Sequence, residues 1–275
     1  MRLIADSGST KTAWHIGHTD FETQGINPFH QQEDVISHIL HDELLPQLPS
    51  EAVVTEVSFY GAGCTPQMSP RLVDALHEAL SPAVAVEVGS DMLGAARALC
   101  GKSEGIACIL GTGANSCLYD GTDIVANISP LGYILGDEGS AAYIGKRLVG
   151  DVLKQQMPRQ VCQLFFDETH HTAASIVENV YRRPLANRFL GELSRFCSRH
   201  RDLPAIRQLL VDSFCQFFVR NVANYQRPDL EVNFIGSIAH YYSDELHEAA
   251  AQSGFKVGTT ARTPMQGLIR YHCEG

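Results

Sequence analysis

The chain has 275 residues, 44% of them hydrophobic and 19% charged, with a formal net charge of −10. That length suits about two domains, and the composition is that of a soluble globular protein with enough chain to bury a core. The acid excess argues against a nucleic-acid partner, which needs a basic surface. It leaves room for free nucleotides, whose phosphates can be held by backbone N–H groups and a metal ion.

Arg2–Asp6 reads as a short buried strand ending at the turn Ser7-Gly8-Ser9, with Thr12–Gly17 as its return strand and Phe21–Gly25 as a third. Gln31–Leu45 is predicted helical, because Val35, Ile36, Ile39, Leu40 and Leu44 fall at helical spacing and Pro46 ends the run. Val53–Tyr60 is a strand that meets the turn cluster Gly61-Ala62-Gly63. Ser69–Leu80 is a helix with Ser69 as N-cap and Pro70 at its first position. Val84–Val88 is a strand, after which Ser90 or Asp91 caps a third helix running to Cys100. These elements make one compact α/β lobe.

After Gly101–Gly105 the pattern restarts. Ile106–Leu110 is a strand ending in Gly111-Thr112-Gly113, Asn115–Tyr119 is its hairpin partner, and Ile124–Ile128 is a third strand. The middle is mostly helical, over Ser140–Lys154, Ala173–Tyr181, Leu185–Arg199 and Pro204–Tyr225. Leu230–Ile235 is a strand running into Gly236-Ser237 and a helix to Ala251; Phe255–Gly258 and a short helix over Pro264–Cys273 follow. What repeats is an architecture rather than a sequence: twice the chain makes strand, glycine turn, return strand, then alternating elements.

The start MRLIADSGST has only a four-residue apolar run before a charge, too short for the core of a signal peptide. No stretch reaches the roughly 18 residues of a membrane helix. Cys64, Cys100, Cys108, Cys117, Cys162, Cys197, Cys215 and Cys273 form neither a CxxC pair nor a zinc-type quartet. Reduced thiols in a cytoplasmic protein are therefore expected. The histidines, including His170-His171, lack partners at metal-ligand spacing, and the arginine runs suit solvated helix faces.

Chemistry concentrates in a few places. In Asp6-Ser7-Gly8-Ser9-Thr10-Lys11-Thr12, a tight hairpin turn can point successive N–H groups into one concavity, as a phosphate requires. Gly8 permits close approach, the hydroxyls add donors, and Asp6 at the strand end can hold a Mg²⁺-bound water. Gly111-Thr112-Gly113-Ala114-Asn115 has the same design. It lacks the third glycine and the following helix of a dinucleotide fold. Two such turns, each opening a lobe, suggest two jaws on one polyphosphate. Phe234-Ile235-Gly236-Ser237-Ile238-Ala239 ends a strand in small residues against which a flat ring could lie; close strand–helix packing explains it equally well. Gly101-Lys102-Ser103 and Gly145-Lys146 are not Walker A motifs, because Ala96 and Ser140 stand where the first glycine is needed. Asp91, directly after an apolar strand, could accept a proton from an attacking hydroxyl, and capping a helix is its plainer role. Asp137-Glu138, in Leu135-Gly136-Asp137-Glu138-Gly139-Ser140, likewise precedes a helix, and flanking glycines favour a loop that faces a ligand.

Together these residues resemble the N-acetylglucosamine kinase family, within the branch of benzoyl-CoA-reductase-type ATPases in the actin, hexokinase and heat-shock-chaperone superfamily. Asp6–Thr12 looks like its first phosphate motif, Gly111-Thr112-Gly113 its second, and Gly236-Ser237-Ile238-Ala239 its adenosine motif. The sequence GDEGS at Gly136–Ser140 is the most specific match, and the likeness runs from Asp6 to Gly267. The resemblance implies an α/β fold of two ribonuclease-H-like, actin-like ATPase lobes around a central cleft. Residues 1–103 with 262–275 would form one lobe, and 104–261 the other. It implies ATP and Mg²⁺ as cofactors, with Asp6 on the metal side. ATP would be held by Ser7, Gly8, Ser9, Thr10, Lys11, Gly111, Thr112, Gly113, Gly236 and Ser237. Asp91 would be the catalytic base. Asn27, Asp91, Ala114, Asn115, Pro130, Leu131, Gly132 and Asp137 would line the sugar site. The chain departs from the family where Ser129-Pro130-Leu131-Gly132-Tyr133 replaces a loop that often carries tryptophan, and where Ala114 replaces a common serine. These changes bear on which sugar is taken.

The expected activity is ATP-dependent phosphorylation of an amino sugar, N-acetylglucosamine to its 6-phosphate. The alternatives are an ATPase activator of a reductase or dehydratase, which needs cysteines converging on an iron–sulfur cluster, and a non-catalytic sugar sensor. The expected partner is a small sugar, with neither nucleic acid nor membrane; a homodimer follows only from family habit.

Overall fold

The computed structural model describes residues 1–8 and 10–273. The chain folds as two compact lobes: the first holds Met1–Ser103, Gly121–Asp123 and the segment from Pro264 onward, the second Glu104–Asp120 and Ile124–Thr263.

The first lobe is built on β1 (Arg2–Ser7), β2 (Lys11–Ile16), β3 (Thr19–Gln24), β4 (Glu56–Gly61) and β5 (Ala85–Ser90), in the order β3-β2-β1-β4-β5. The β1–β2 and β2–β3 pairs are antiparallel, and β1–β4 and β4–β5 are parallel. Side chains alternate between faces along a strand. Leu3, Ala5, Val57 and Phe59 therefore point together onto one face, where Ile36, Ile39, Leu40, Leu44, Leu72 and Leu76 cover them. These come from α1 (Glu33–His38), the turns after it, and α2 (Ser69–Ala79). Asp91–Cys100 forms α3.

Two details differ from the sequence expectation. The helix predicted over Gln31–Leu45 starts at Glu33 and becomes a π-helical stretch at Ile39–Leu44, then a 3₁₀ turn at Leu45–Gln47. The wider turn buries Ile39, Leu40 and Leu44 on one side. The N-cap of α2 is Met68, with Ser69 already inside the helix.

The second lobe repeats the plan with β6 (Gly105–Leu110), β7 (Ala114–Tyr119), β8 (Ile124–Asn127), β9 (Val232–Ile235) and β10 (Val257–Ala261), in the order β10-β9-β6-β7-β8. Between β8 and β9 lie α4 (Gly132–Leu135), α5 (Ala141–Leu153), α6 (Arg159–Thr169), α7 (Ala173–Tyr181), α8 (Ala186–Leu193), α9 (Arg195–Arg199) and α10 (Pro204–Arg220). The core is one large cluster that includes Ile106, Cys108, Ile144, Phe165, Phe214, Phe217, Phe218 and Phe234. Helix α6 was not anticipated, and the Leu185–Arg199 helix is split at Ser194. The helix expected after Gly236 is broken at Tyr242 into α11 (Ser237–Tyr241) and α12 (Ser243–Gln252).

The chain then returns to the first lobe as α13 (Met265–Cys273). Met265 and Leu268 pack with Ile4 and Tyr60 on the sheet face opposite the main cluster. A Cβ at Gly267 would lie 2.2 Å from the Ala98 carbonyl oxygen, so only glycine lets α13 approach α3 this closely. Among the described residues no helix is long and apolar enough to cross a membrane.

Candidate active site

In the first lobe the candidate residues gather where β1, β4 and β5 end. The β1–β2 turn is closed by the Gly8 amide donating to the Lys11 carbonyl at 3.0 Å. Beneath it runs Gly25-Ile26-Asn27. The Gly25 amide donates to the Thr10 carbonyl at 3.1 Å, and a Cβ on Gly25 would lie 2.5 Å from the Gly8 oxygen. Gly25 thus lets one strand pack under the turn. Ser7 is buried, and its hydroxyl donates to the Ile26 carbonyl at 2.8 Å while accepting the Ile26 amide at 2.9 Å. With Thr12 Oγ1 also 2.7 Å away, the Ser7 side chain braces the turn. Thr10 is exposed, and Lys11 is exposed and paired with Glu22. Ser9 lies outside the described residues. Asn27 Oδ1 accepts the Phe29 and His30 amides at 3.0 and 3.3 Å, and the atom sits against Gly63, where any Cβ would collide with it.

Helix α3 is capped by Ser90, whose hydroxyl accepts the Leu93 amide at 3.1 Å. Capping therefore does not explain Asp91. Its carboxylate accepts the adjacent Met92 amide at 2.8 Å, and burial raises its pKa against the lowering effect of the Met92 and Asp91 amides. Asp6 is pushed up to about 6, first by burial and then by the charge of Asp91, against a lowering from Lys11. Two desolvated carboxylates thus sit close enough to feel each other. The same charge, after burial, raises the Cys64 thiol to about 12, so that thiol is inert.

No group of three or more His, Cys, Asp or Glu side chains gathers as a metal cage among the described residues. Mg²⁺ does not need one, since it is commonly held by one or two carboxylates, substrate phosphates and water. Asp6 fits such an ion, because a divalent cation beside it would offset the burial and the Asp91 charge that raise it.

In the second lobe three separate sequence segments converge. The Gly111 and Thr112 carbonyls accept the amides of Ala141 and Ala142, at 2.9 and 3.1 Å, tying the β6–β7 turn to the start of α5. A Cβ on Gly113 would meet Asp137 Oδ2 at 3.2 Å, and the Ala114 amide points at Asp137 Oδ1 from 3.4 Å. Ser140, not Asp137, caps α5, accepting the Tyr143 amide at 3.1 Å. Asp137 has left-handed backbone, with φ 56°. Burial raises its pKa most; the Ala114 amide and Lys146 oppose that, and Glu138 adds to it. Gly236, with φ 124°, brings β9 against the turn: a Cβ there would lie 2.2 Å from the Leu110 oxygen. Ser237 follows it on the surface.

Asn115 is half-buried, its Oδ1 accepting the Ser116 amide at 2.9 Å and Asn127 Nδ2 at 3.0 Å. The Pro130 carbonyl accepts the Asp137 amide at 2.9 Å, which fixes the Pro130-Leu131-Gly132 loop to the aspartate. Leu131 and Gly132 both have positive φ. A pocket of 220 Å³ opens beside this loop, reaching Glu138 and Arg220. Glu138 is buried and paired with Arg220 at 2.6 Å.

Two contributors escaped the sequence reading. Gly25 looked like a strand end. Lys146, considered only as a Walker fragment, donates through Nζ to the Tyr133 carbonyl at 2.7 Å and feels both Asp137 and Glu138. It clamps the loop to α5 next to Asp137. Its position one helical turn after Tyr143, whose ring lies 5.2 Å away, was the available signal.

No family model matches the sequence, and no curated protein matches it. Solved structures do. A Porphyromonas gingivalis protein described as a candidate N-acetylglucosamine kinase is 51% identical, with a TM-score of 0.92, over 99% of this chain and 98% of its own. A second protein of that description, from Chromobacterium violaceum, shares 18% identity over 98% of both chains, with a TM-score of 0.72. A non-polymerising MamK variant bound to AMPPNP shares 13% identity at a TM-score of 0.55, over 99% of this chain and 97% of its own. These two show the fold, a pair of ribonuclease-H-like lobes. With more than half of its residues shared with the Porphyromonas protein along nearly its whole length, the chain belongs to the N-acetylglucosamine kinase family.

Proposed function

We propose that this protein is a cytoplasmic sugar kinase that moves the γ-phosphoryl group of ATP onto a hydroxyl of an amino sugar, N-acetylglucosamine first, at its C6 oxygen. The observation that carries this reading is Asp91, a desolvated carboxylate beside Asp6 that Ser90 relieves of any capping duty. Raised basicity suits a group that must take a proton in the transition state. As the sugar oxygen bonds to phosphorus, its proton passes to Asp91, the bond from phosphorus to the bridging oxygen breaks, and ADP leaves. Backbone N–H groups of the β1–β2 and β6–β7 turns bind the phosphates, with Gly236-Ser237 next to the adenosine. Asp6 would hold Mg²⁺, which when bound neutralises phosphate charge. Asn27, Asp137 and the loop that Lys146 clamps orient the sugar.

Asp91→Asn is the decisive variant. Its kcat for N-acetylglucosamine in a coupled ADP-release assay is expected to fall about 10³-fold, within the range for removing a general base, with ATP affinity retained. Turnover within threefold of the parent, in a folded protein, removes Asp91 from the reaction. Running the assay across N-acetylmannosamine, N-acetylmuramate, glucosamine and glucose identifies the acceptor.

A further inference from the structure

Helix α5 joins two places. Its first residues bond to the Gly111 and Thr112 carbonyls, and its last turn forms a wall of a separate cavity. With 13 residues, α5 sets the two about 20 Å apart at the usual rise per residue.

The cavity measures 650 Å³, within the range of small-molecule sites. Val152, Leu153, Met157 and Phe166 supply apolar surface, and Arg159 and Gln163 supply polar groups. Val152 and Met157 are buried. The wall is tied together through Cys162, whose thiol donates to the Val152 and Met157 carbonyls at 3.8 and 3.6 Å. Arg159 makes no ion pair among the described residues, whereas Arg183, Arg199, Arg201, Arg207, Arg220 and Arg227 of the same lobe each face a carboxylate. An unneutralised guanidinium beside an apolar floor favours a molecule with the opposite pattern: a compact hydrocarbon body ending in one negative charge.

We infer that this cavity is a second small-molecule site, for an apolar carboxylate of low mass, at the far end of the helix that braces the Gly111–Gly113 turn. The two places share one rigid element, so a ligand that shifts the last turn of α5 also acts on Ala141 and Ala142. The inference stands independently of the kinase reading, because neither the volume nor Arg159 depends on it.

The probe is 8-anilinonaphthalene-1-sulfonate, an anion with an apolar body, titrated by fluorescence into the full chain. One saturable site is expected, displaced by hexanoate and not by hexylamine. Arg159→Gln should weaken probe binding about tenfold, as loss of a charge-assisted hydrogen bond would, and Arg159→Lys should retain most of it. Ala173→Trp, from an exposed lining position, should fill the cavity and abolish binding. Both positions are exposed, so circular dichroism is expected to be unchanged. Equal displacement by hexylamine, or probe binding that survives Ala173→Trp, overturns the assignment.

Discussion

The two lobes share one strand order and differ in what stands at the strand ends. Near the end of its first strand the first lobe carries Asp6, where the second has the apolar pair Ile109 and Leu110. Directly after the fifth strand the first lobe has Asp91, and the second has Arg262. That arginine lies over the Tyr241 ring, 5.8 Å from its centroid, beside the Gly236 turn. The backbone supplies the same glycine turns to both lobes. Residue choice then makes one an acidic patch and the other a cationic and aromatic edge. One strand plan can thus carry two unlike chemistries at its strand ends.

Removing the acid should break the contrast most visibly. Asp6→Asn is expected to lower kcat about a hundredfold or more, since both the cation and Asp91 lose their partner. It should also stabilise the free protein. Asp6 has a folded-state pKa of about 6 against an ordinary 3.8, so the native state binds its proton more tightly and its charge is unfavourable at neutral pH. The gain should be about 1–3 kcal/mol at pH 7 and vanish as the pH falls from 6 to 4, as urea melts would record. In the second lobe, Gly236→Ala should cost more than tenfold in ATP affinity, because the methyl group collides with the Leu110 oxygen. Calorimetry with the sugar alone should show no change. If sugar affinity falls equally, the Gly236 turn does not serve the nucleotide alone. Arg262→Ala sharpens the point at smaller scale. A loss of about fivefold is expected for ATP and none for tripolyphosphate, if the guanidinium and Tyr241 face the base.

The smallest effect concerns the C-terminal helix. Arg2 donates to Nδ1 of His272, so Nε2 must carry the ring proton and donate to the Tyr60 oxygen at 2.8 Å. Burial first, and then the Arg2 charge, lower this histidine to about 4. The unfolded chain takes up the proton near pH 6.5 and the native state does not, so stability should drop as pH falls between those values. Because the ring is half-exposed, the loss should stay under about 1 kcal/mol, and His272→Leu should flatten it.

The sheets were legible in the sequence because β1, β4, β6 and β9 are short, largely apolar runs that stop at glycine or serine. Two glycine turns of one design revealed the duplication. Asp91 and Asp137 were legible as candidates, but their freedom from capping was not; that depends on Ser90 and Ser140 taking the role, a choice between neighbours that only coordinates resolve. Helix α6 was overlooked because only Val161 and Phe165 of its 11 residues are buried, too thin a stripe to stand out in RQVCQLFFDET. The brace around Ser7 was invisible for another reason. Its partner Ile26 is 19 residues away, and local pattern says nothing about such a bond.

The placement of α13 has a bearing on how the protein is made. On one sheet face Ile4 and Tyr60 are covered partly by Leu93 and Ala98 of α3, and their cover is completed only when Met265 and Leu268 arrive, after the second lobe ends at Thr263. The lobe that holds Ile4 is therefore completed after the other, and a nascent chain halted before Met265 would leave part of that apolar face open to chaperones or to aggregation.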